Sequence, residues 1–273
     1  MNPSAARELK PAIRYCGGKS RLAPTFARFM PDAEWYVDPF TGGANVYWHV
    51  AGVNQFRKYW INDIRTGVNL SAIKRSGHKT MIELDKRDGA VWRETFKRYK
   101  GQRYMTDEAL IWEFFLTFDG GGYGRSGPRH RYGGVSLHQY ARKMRMCCDI
   151  LNRTATRIST LDYVKVLERV PNDASAFVFL DPPYPNASVP AYENTDIDHV
   201  ELLTILKRAR FSWMLCGFPN PIWDDFLERE PLFRQPADLV RRGRSGMYTR
   251  KDKGGQEEVC WTNYDPPRLA KAA

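Results

Sequence analysis

The sequence predicts an α/β fold, a mostly parallel sheet interrupted by a largely helical insert. Three observations carry that expectation. A strand, a glycine turn, a helix and a second strand follow one another between residues 35 and 63. Short apolar runs resume at residue 177, with a helical pattern between the first two of them. In between, residues 71–146 place apolar residues at helical spacing instead. With 273 residues, 42% hydrophobic and 27% charged, the chain has material for one large α/β domain or two modest ones. That composition excludes a disordered, collagen-like or small disulfide-stapled protein.

The elements follow in order. Trp35-Tyr36-Val37 is the first strand and runs into Asp38-Pro39-Phe40. Thr41-Gly42-Gly43 turns the chain, and Ala44-Asn45-Val46-Tyr47-Trp48 starts a helix. Lys58-Tyr59-Trp60-Ile61 is a second strand, closed by Asn62-Asp63. That order is a βαβ unit, which calls for parallel strands. Leu110, Ile111, Phe114, Phe115 and Phe118 then repeat at helical spacing before a glycine-rich loop from Gly120 to Gly134. Strands return at Phe177-Val178-Phe179-Leu180, Ser212-Trp213-Met214-Leu215 and Val259-Cys260-Trp261. Asp198 is placed to cap a helix with Val200, Leu203, Ile205 and Leu206 on its buried side.

Charge narrows the function. The formal net charge is +11. Residues 121–160 hold eight basic residues against one acid, and residues 239–254 hold six against one. A surplus packed into two windows fits a polyanionic partner, with an anionic membrane surface or simple solubility as the alternatives. No run approaches the roughly 18 apolar residues of a membrane helix, so a membrane span is not expected. Met1 to Pro11 lacks the apolar core of a signal peptide. Cys16, Cys147, Cys148, Cys216 and Cys260 show no metal or disulfide spacing, which predicts free thiols in a reducing, cytoplasmic setting. The five histidines have no ligand spacing, and no metal is expected.

Three short motifs carry chemistry. In Phe179-Leu180-Asp181-Pro182-Pro183-Tyr184 a strand delivers an acid, two prolines and an aromatic to the carboxyl end of the sheet, where α/β proteins bind ligands. The prolines remove two N–H donors, leaving the Asp181 carboxylate and neighbouring carbonyls as acceptors beside the flat face of Tyr184. Acceptors beside an aromatic suit a planar group bearing an NH2, such as adenine or cytosine. A strand-ending turn with a surface tyrosine is the other reading. Second, Gly42 and Gly43 let the backbone pass close to a ligand, and Asp63 closes the next strand about 20 residues on, placed to accept from ribose hydroxyls. Asp63 is equally placed to cap a helix. Third, Arg14-Tyr15-Cys16-Gly17-Gly18-Lys19 is a glycine turn beside an aromatic and a lysine, suited to a carboxylate or phosphate but lacking the spacing of a Walker loop.

Taken in this order, Tyr15-Cys16-Gly17-Gly18-Lys19, Val37-Asp38-Pro39-Phe40-Thr41-Gly42-Gly43, Asn62-Asp63 and Asp181-Pro182-Pro183-Tyr184 resemble the motifs of Dam-type adenine-specific DNA methyltransferases. Glu257 to Tyr264 is similar to that family's last sheet strand. The resemblance runs from about Ile13 to Tyr264. It implies a Rossmann-like methyltransferase sheet, S-adenosylmethionine as methyl donor and adenine in double-stranded DNA as acceptor. Residues 1–70 and 147–273 would form the catalytic domain, and 71–146 an inserted target-recognition domain. The cofactor-binding residues would be Tyr15, Gly17, Gly18, Lys19, Asp38, Phe40, Gly42, Gly43, Asp63 and Asp181. The catalytic turn would be Asp181, Pro182, Pro183 and Tyr184.

The chain departs from the family at Phe118-Asp119-Gly120-Gly121-Gly122-Tyr123-Gly124-Arg125, where members often carry a Tyr- and Asn-rich recognition loop. Glycines read no bases through side chains, so relaxed sequence specificity is expected. Tyr123 interleaves with Arg125, Arg129 and Arg131, an arrangement suited to stacking and phosphate contact. Arg241, Arg242 and Arg244 fall in a loop placed to hold the DNA backbone. A monomer is expected. The rival readings are an RNA adenine or cytosine amino-methyltransferase, and an inactive DNA-binding relative.

Overall fold

The computed structural model describes residues 18–85, 106–116, 137–185, 197–227, 233–234 and 259–266. The chain divides into two compact units, one of residues 1–27 and 41–162, the other of residues 28–40 and 163–273. Helix α1, Ala23–Phe29, starts from a turn in which the Lys19 carbonyl accepts from the backbone N–H groups of Leu22 and Ala23.

In the first unit, α2 (Asn45–Gly52) leads to β2 (Lys58–Asn62), then α3 (Gly67–Asp85), α4 (Asp107–Leu116), α5 (Leu137–Arg153) and β3 (Ala155–Ser159). Strands β2 and β3 are parallel, with Lys58 opposite Ala155 and Asn62 opposite Ser159. Helix α2 is buried almost all round because it is nearly all apolar, and Tyr47, Trp48 and Val50 vanish from the surface. Helix α5 is one-sided. Met144, Cys147, Cys148 and Leu151 are buried while Arg145 and Asp149 stay outside. Helices α3 and α4 are joined through Asp107, which takes Arg75 at 2.6 Å and the Ser76 hydroxyl at 2.7 Å. The Arg153 guanidinium donates to the Gly52 carbonyl at 2.6 Å and so satisfies the end of α2. The helical character expected for residues 71–146 holds over the described parts of that stretch.

In the second unit β1 (Trp35–Asp38) and α6 (Tyr163–Leu167) precede β4 (Ala176–Leu180), α7 (His199–Arg208), β5 (Ser212–Gly217), α8 (Pro221–Leu227), β6 (Phe233–Arg234) and β7 (Val259–Thr262). The strands adjoin in the order β1-β4-β5-β7-β6. β1, β4 and β5 are mutually parallel, while β7 is antiparallel to both β5 and β6. The last strand thus slots between β5 and β6. Strand β4 is buried at every residue, as a central parallel strand flanked on both faces must be. Asp198 caps α7 by accepting from the Glu201 N–H at 2.9 Å.

The buried face of α7 corrects the expectation. Leu202, Leu203 and Leu206 are buried, whereas Val200 is 55% exposed and Ile205 only half-buried. Leu203 and Leu206 are buried as expected, and Leu202 takes the place of Val200, because a stripe of three leucines covers more apolar area than one that includes Val200.

Candidate active site

The carboxyl ends of the parallel strands gather the acids. At the end of β1 the Asp38 side chain is 2% exposed. It accepts from the Tyr36 hydroxyl at 3.1 Å and from the Phe40 N–H at 3.2 Å. Tyr36 lies two residues earlier on the same strand, so both side chains leave the same face of the sheet. Burial, and then the negative charge of Asp38, holds the Tyr36 phenol well above its ordinary pKa, so it keeps its proton and donates it. Phe40 stacks at a tilt on Tyr163, ring centres 5.4 Å apart, and the Tyr163 hydroxyl donates to the Asp198 carbonyl and to Glu201 Oε2, each at 3.2 Å. The residue that stiffens the Phe40 turn is therefore tied to the start of α7.

The proline turn follows β4 directly. Asp181 is half-buried, Pro182 buried, and Pro183 and Tyr184 half-buried. The Tyr184 hydroxyl donates to Asp181 Oδ1 at 3.1 Å. Its ring meets Phe218 edge-on, centres 4.8 Å apart at 73°. β4 and β5 are parallel neighbours, so Asp181 after β4 and Phe218 after β5 emerge at the same edge of the sheet. The sequence reading missed Phe218 and Tyr36. Gly217-Phe218-Pro219-Asn220 is a turn signal behind a strand, and tracing every strand to its carboxyl end would have found it.

The first unit carries the glycine turn and Asp63. Gly42 has φ 49° and Ala44 φ 56°, both left-handed. Gly42 adopts that conformation at little cost, but for Ala44 it is strained by about 1–3 kcal/mol. The turn is fixed on all sides. Gly42 donates its N–H to Asp63 Oδ2 at 2.9 Å, its carbonyl accepts from the Thr66 hydroxyl at 2.7 Å, and the Gly43 carbonyl accepts from the Trp48 indole at 3.0 Å. Asp63 Oδ1 also accepts from the N–H groups of Arg65 and Thr66, at 2.9 and 2.8 Å, ahead of α3. Asp63 therefore serves as the helix cap that one reading of the sequence named, and ties the glycine turn to it. Beside it, the buried Thr41 Oγ1 and Asn45 Oδ1 have no hydrogen-bond partner. Orphaned polar atoms at a turn call for a missing partner. Gly18 opens the described chain and Lys19 is 6% exposed.

Several expected site residues lie outside the described residues. These are Tyr15 and Gly17 of the first glycine turn, Tyr123, Arg125, Arg129 and Arg131 of the glycine-rich loop, and Arg241, Arg242 and Arg244. Cys147, Cys148, Cys216 and Cys260 are buried and form no disulfide. Among the described residues no helix is long and apolar enough to cross a membrane, and no three His, Cys, Asp or Glu side chains gather as a metal group.

Parallel strands with helical crossovers, an antiparallel strand slotted next to the edge, and acid-bearing turns at the strands' carboxyl ends fit a Rossmann-like methyltransferase fold. Residues 15–84 match the family of D12 class N6 adenine-specific DNA methyltransferases. Over 242 residues the chain is 28% identical to the type II methyltransferase M.CviBI of Paramecium bursaria Chlorella virus NC1A, covering 81% of this chain and 89% of that protein. It is also similar to the solved rRNA methyltransferase aviRa from Streptomyces viridochromogenes, at 15% identity and a TM-score of 0.38, over 89% of this chain and 84% of that one. The family and M.CviBI likenesses both point to the adenine-specific DNA methyltransferases. They support an enzyme of DNA adenine methylation and do not favour the RNA, cytosine and inactive alternatives.

Proposed function

We propose that the protein moves a methyl group from S-adenosylmethionine to N6 of an adenine flipped out of double-stranded DNA, with Asp181 and Tyr184 holding the target. The observation that carries this reading is the turn after β4, where the Tyr184 hydroxyl is bonded to Asp181 Oδ1 and both side chains are half-buried. An acceptor beside a flat aromatic is what an aromatic amine needs.

The residues at the glycine turn suit an adenosine-bearing cofactor. Asp63 ends β2 as a half-buried carboxylate, and Thr41 Oγ1 and Asn45 Oδ1 are buried polar atoms still without partners. In our reading Asp63 binds ribose hydroxyls, and Lys19, Asp38, Phe40, Gly42 and Gly43 line or shape the rest, with Tyr15, Gly17 and Gly18 in the first turn. S-adenosylmethionine supplies an electrophilic methyl on a sulfonium, so the protein's task is chiefly positioning. Asp181 and the Pro182 carbonyl accept the N–H groups of the amine, favouring a pyramidal nitrogen whose lone pair is available. The same acceptors stabilise the positive charge that develops there. Pro182 and Pro183 contribute rigidity and present no competing N–H donor.

A base inside a duplex cannot reach such a turn, and extruding it costs about a few kcal/mol. Stacking on Tyr184 offsets part of that cost. Backbone contacts from Tyr123, Arg125, Arg129, Arg131, Arg241, Arg242 and Arg244 offset more. We assign target recognition to residues 71–146, and catalysis to residues 1–70 and 147–273, in a protein acting as a monomer. Labelled methyl transfer from S-adenosylmethionine to unmethylated duplex DNA, to RNA and to no substrate tests the reading. Label in duplex DNA alone, recovered as N6-methyladenine, supports it. Label in RNA, or in cytosine, contradicts it.

A further inference from the structure

Phe218 has no part in the motifs above, yet the fold fixes it with unusual thoroughness. It follows β5 directly. Before it, Gly217 has no room for a side chain, since a Cβ there would come 2.2 Å from the Trp223 ring. That ring is fully buried and stacks edge-on against Trp261 of β7, centres 5.5 Å apart. After it, Pro219 confines Phe218 to extended backbone. Asn220 then uses both ends of its side chain. Its amide nitrogen donates to the Phe218 carbonyl at 3.0 Å, and its oxygen accepts from the Trp223 N–H at 3.1 Å, capping α8. Pro221 sits at the first helical position, where its missing N–H is harmless. A half-buried phenylalanine is thus clamped from both sides.

The clamped ring packs near-perpendicular against Tyr184, and Tyr184 in turn donates to Asp181 Oδ1. We infer that Phe218 is a positioning residue for methyl transfer, fixing the ring of Tyr184 and, through its hydroxyl, the Asp181 carboxylate. This rests on the proposed role of the Asp181–Tyr184 turn and adds to it a residue on a different strand. The alternative role for Phe218 is plain packing, which predicts a loss of stability and nothing specific to transfer.

A double-mutant cycle separates the two. Phe218→Ala and Phe218→Leu are each made in the parent and in the Tyr184→Ala background. Single-turnover rates are read on saturating DNA and S-adenosylmethionine, alongside cofactor affinity by calorimetry and thermal melting. Phe218→Ala in the parent is expected to slow transfer roughly three- to tenfold, the scale of a lost aromatic pair, with cofactor affinity unchanged. In the Tyr184→Ala background the same change should slow it no further, because the residue it acts through is gone. Phe218→Leu, which keeps the bulk without the ring, guards against a folding defect and should also slow transfer. Equal losses in both backgrounds, or a parent rate for folded Phe218→Ala, overturn the inference. A parent rate for Asp181→Ala instead overturns the underlying site, so the two failures are distinguishable.

Discussion

Asp63 is one carboxylate with an observed role as a cap and a proposed one at the cofactor. It accepts three backbone N–H groups, two at the start of α3 and one from Gly42. Asp63→Ala should therefore lower stability by about 0.5–2 kcal/mol, as loss of a cap does. It should also weaken S-adenosylmethionine binding roughly tenfold or more, because a hydrogen bond to a charged group is lost. Chemical denaturation and calorimetry on the same variant check both. Lower stability with unchanged cofactor affinity would leave Asp63 as a cap alone. Tyr184 is a similar case. Its hydroxyl bond to Asp181 means that Tyr184→Phe keeps the stacking face but loses a restraint, so it should be slower than the parent and much faster than Tyr184→Ala. Single-turnover methylation ranks the three, and a phenylalanine variant as slow as the alanine one would take stacking out of the account.

At the scale of elements, most of the second unit was legible because its strands are apolar runs bounded by turn residues. β1, β4, β5 and β7 fall where the sequence put them. Strand β3 was not seen. Its Ala155-Thr156-Arg157-Ile158-Ser159 is polar at most positions, and its burial comes from partners such as Tyr47, whose hydroxyl meets Thr156 Oγ1 at 2.8 Å. No local pattern announces such a strand. The site was legible as far as its acids and its proline turn, but Phe218 and Tyr36 act through contacts that only the folded sheet creates. The packed face of α5 offers a test by pH. Burial pushes the Cys148 thiol up to about 12 from an ordinary value near 9. A raised value in the folded state means full stability below about pH 9, lost as pH climbs toward 12. Melting temperature should thus fall between pH 8 and pH 10.5, and fall less in Cys148→Ala. An identical fall in that variant would assign the alkaline loss to other groups.

For the whole molecule the charge distribution and the chemistry are separate claims. The basic windows are expected to hold phosphate and not to read bases. Replacing Arg125, Arg129 and Arg131 together with glutamine should weaken binding to every duplex alike. It should also flatten log affinity against log salt by about one unit per lost contact. Loss confined to one DNA sequence would make these arginines base readers. The claim on which everything else depends is that Asp181 holds the amine that is methylated. Its acceptor matters most as charge develops on nitrogen, so its removal should fall on turnover more than on binding. The direct measurement is single-turnover methylation of duplex DNA by folded Asp181→Ala at saturating S-adenosylmethionine, with DNA affinity measured in parallel. The account predicts that transfer is abolished while DNA binding persists; transfer at the parent rate would contradict it.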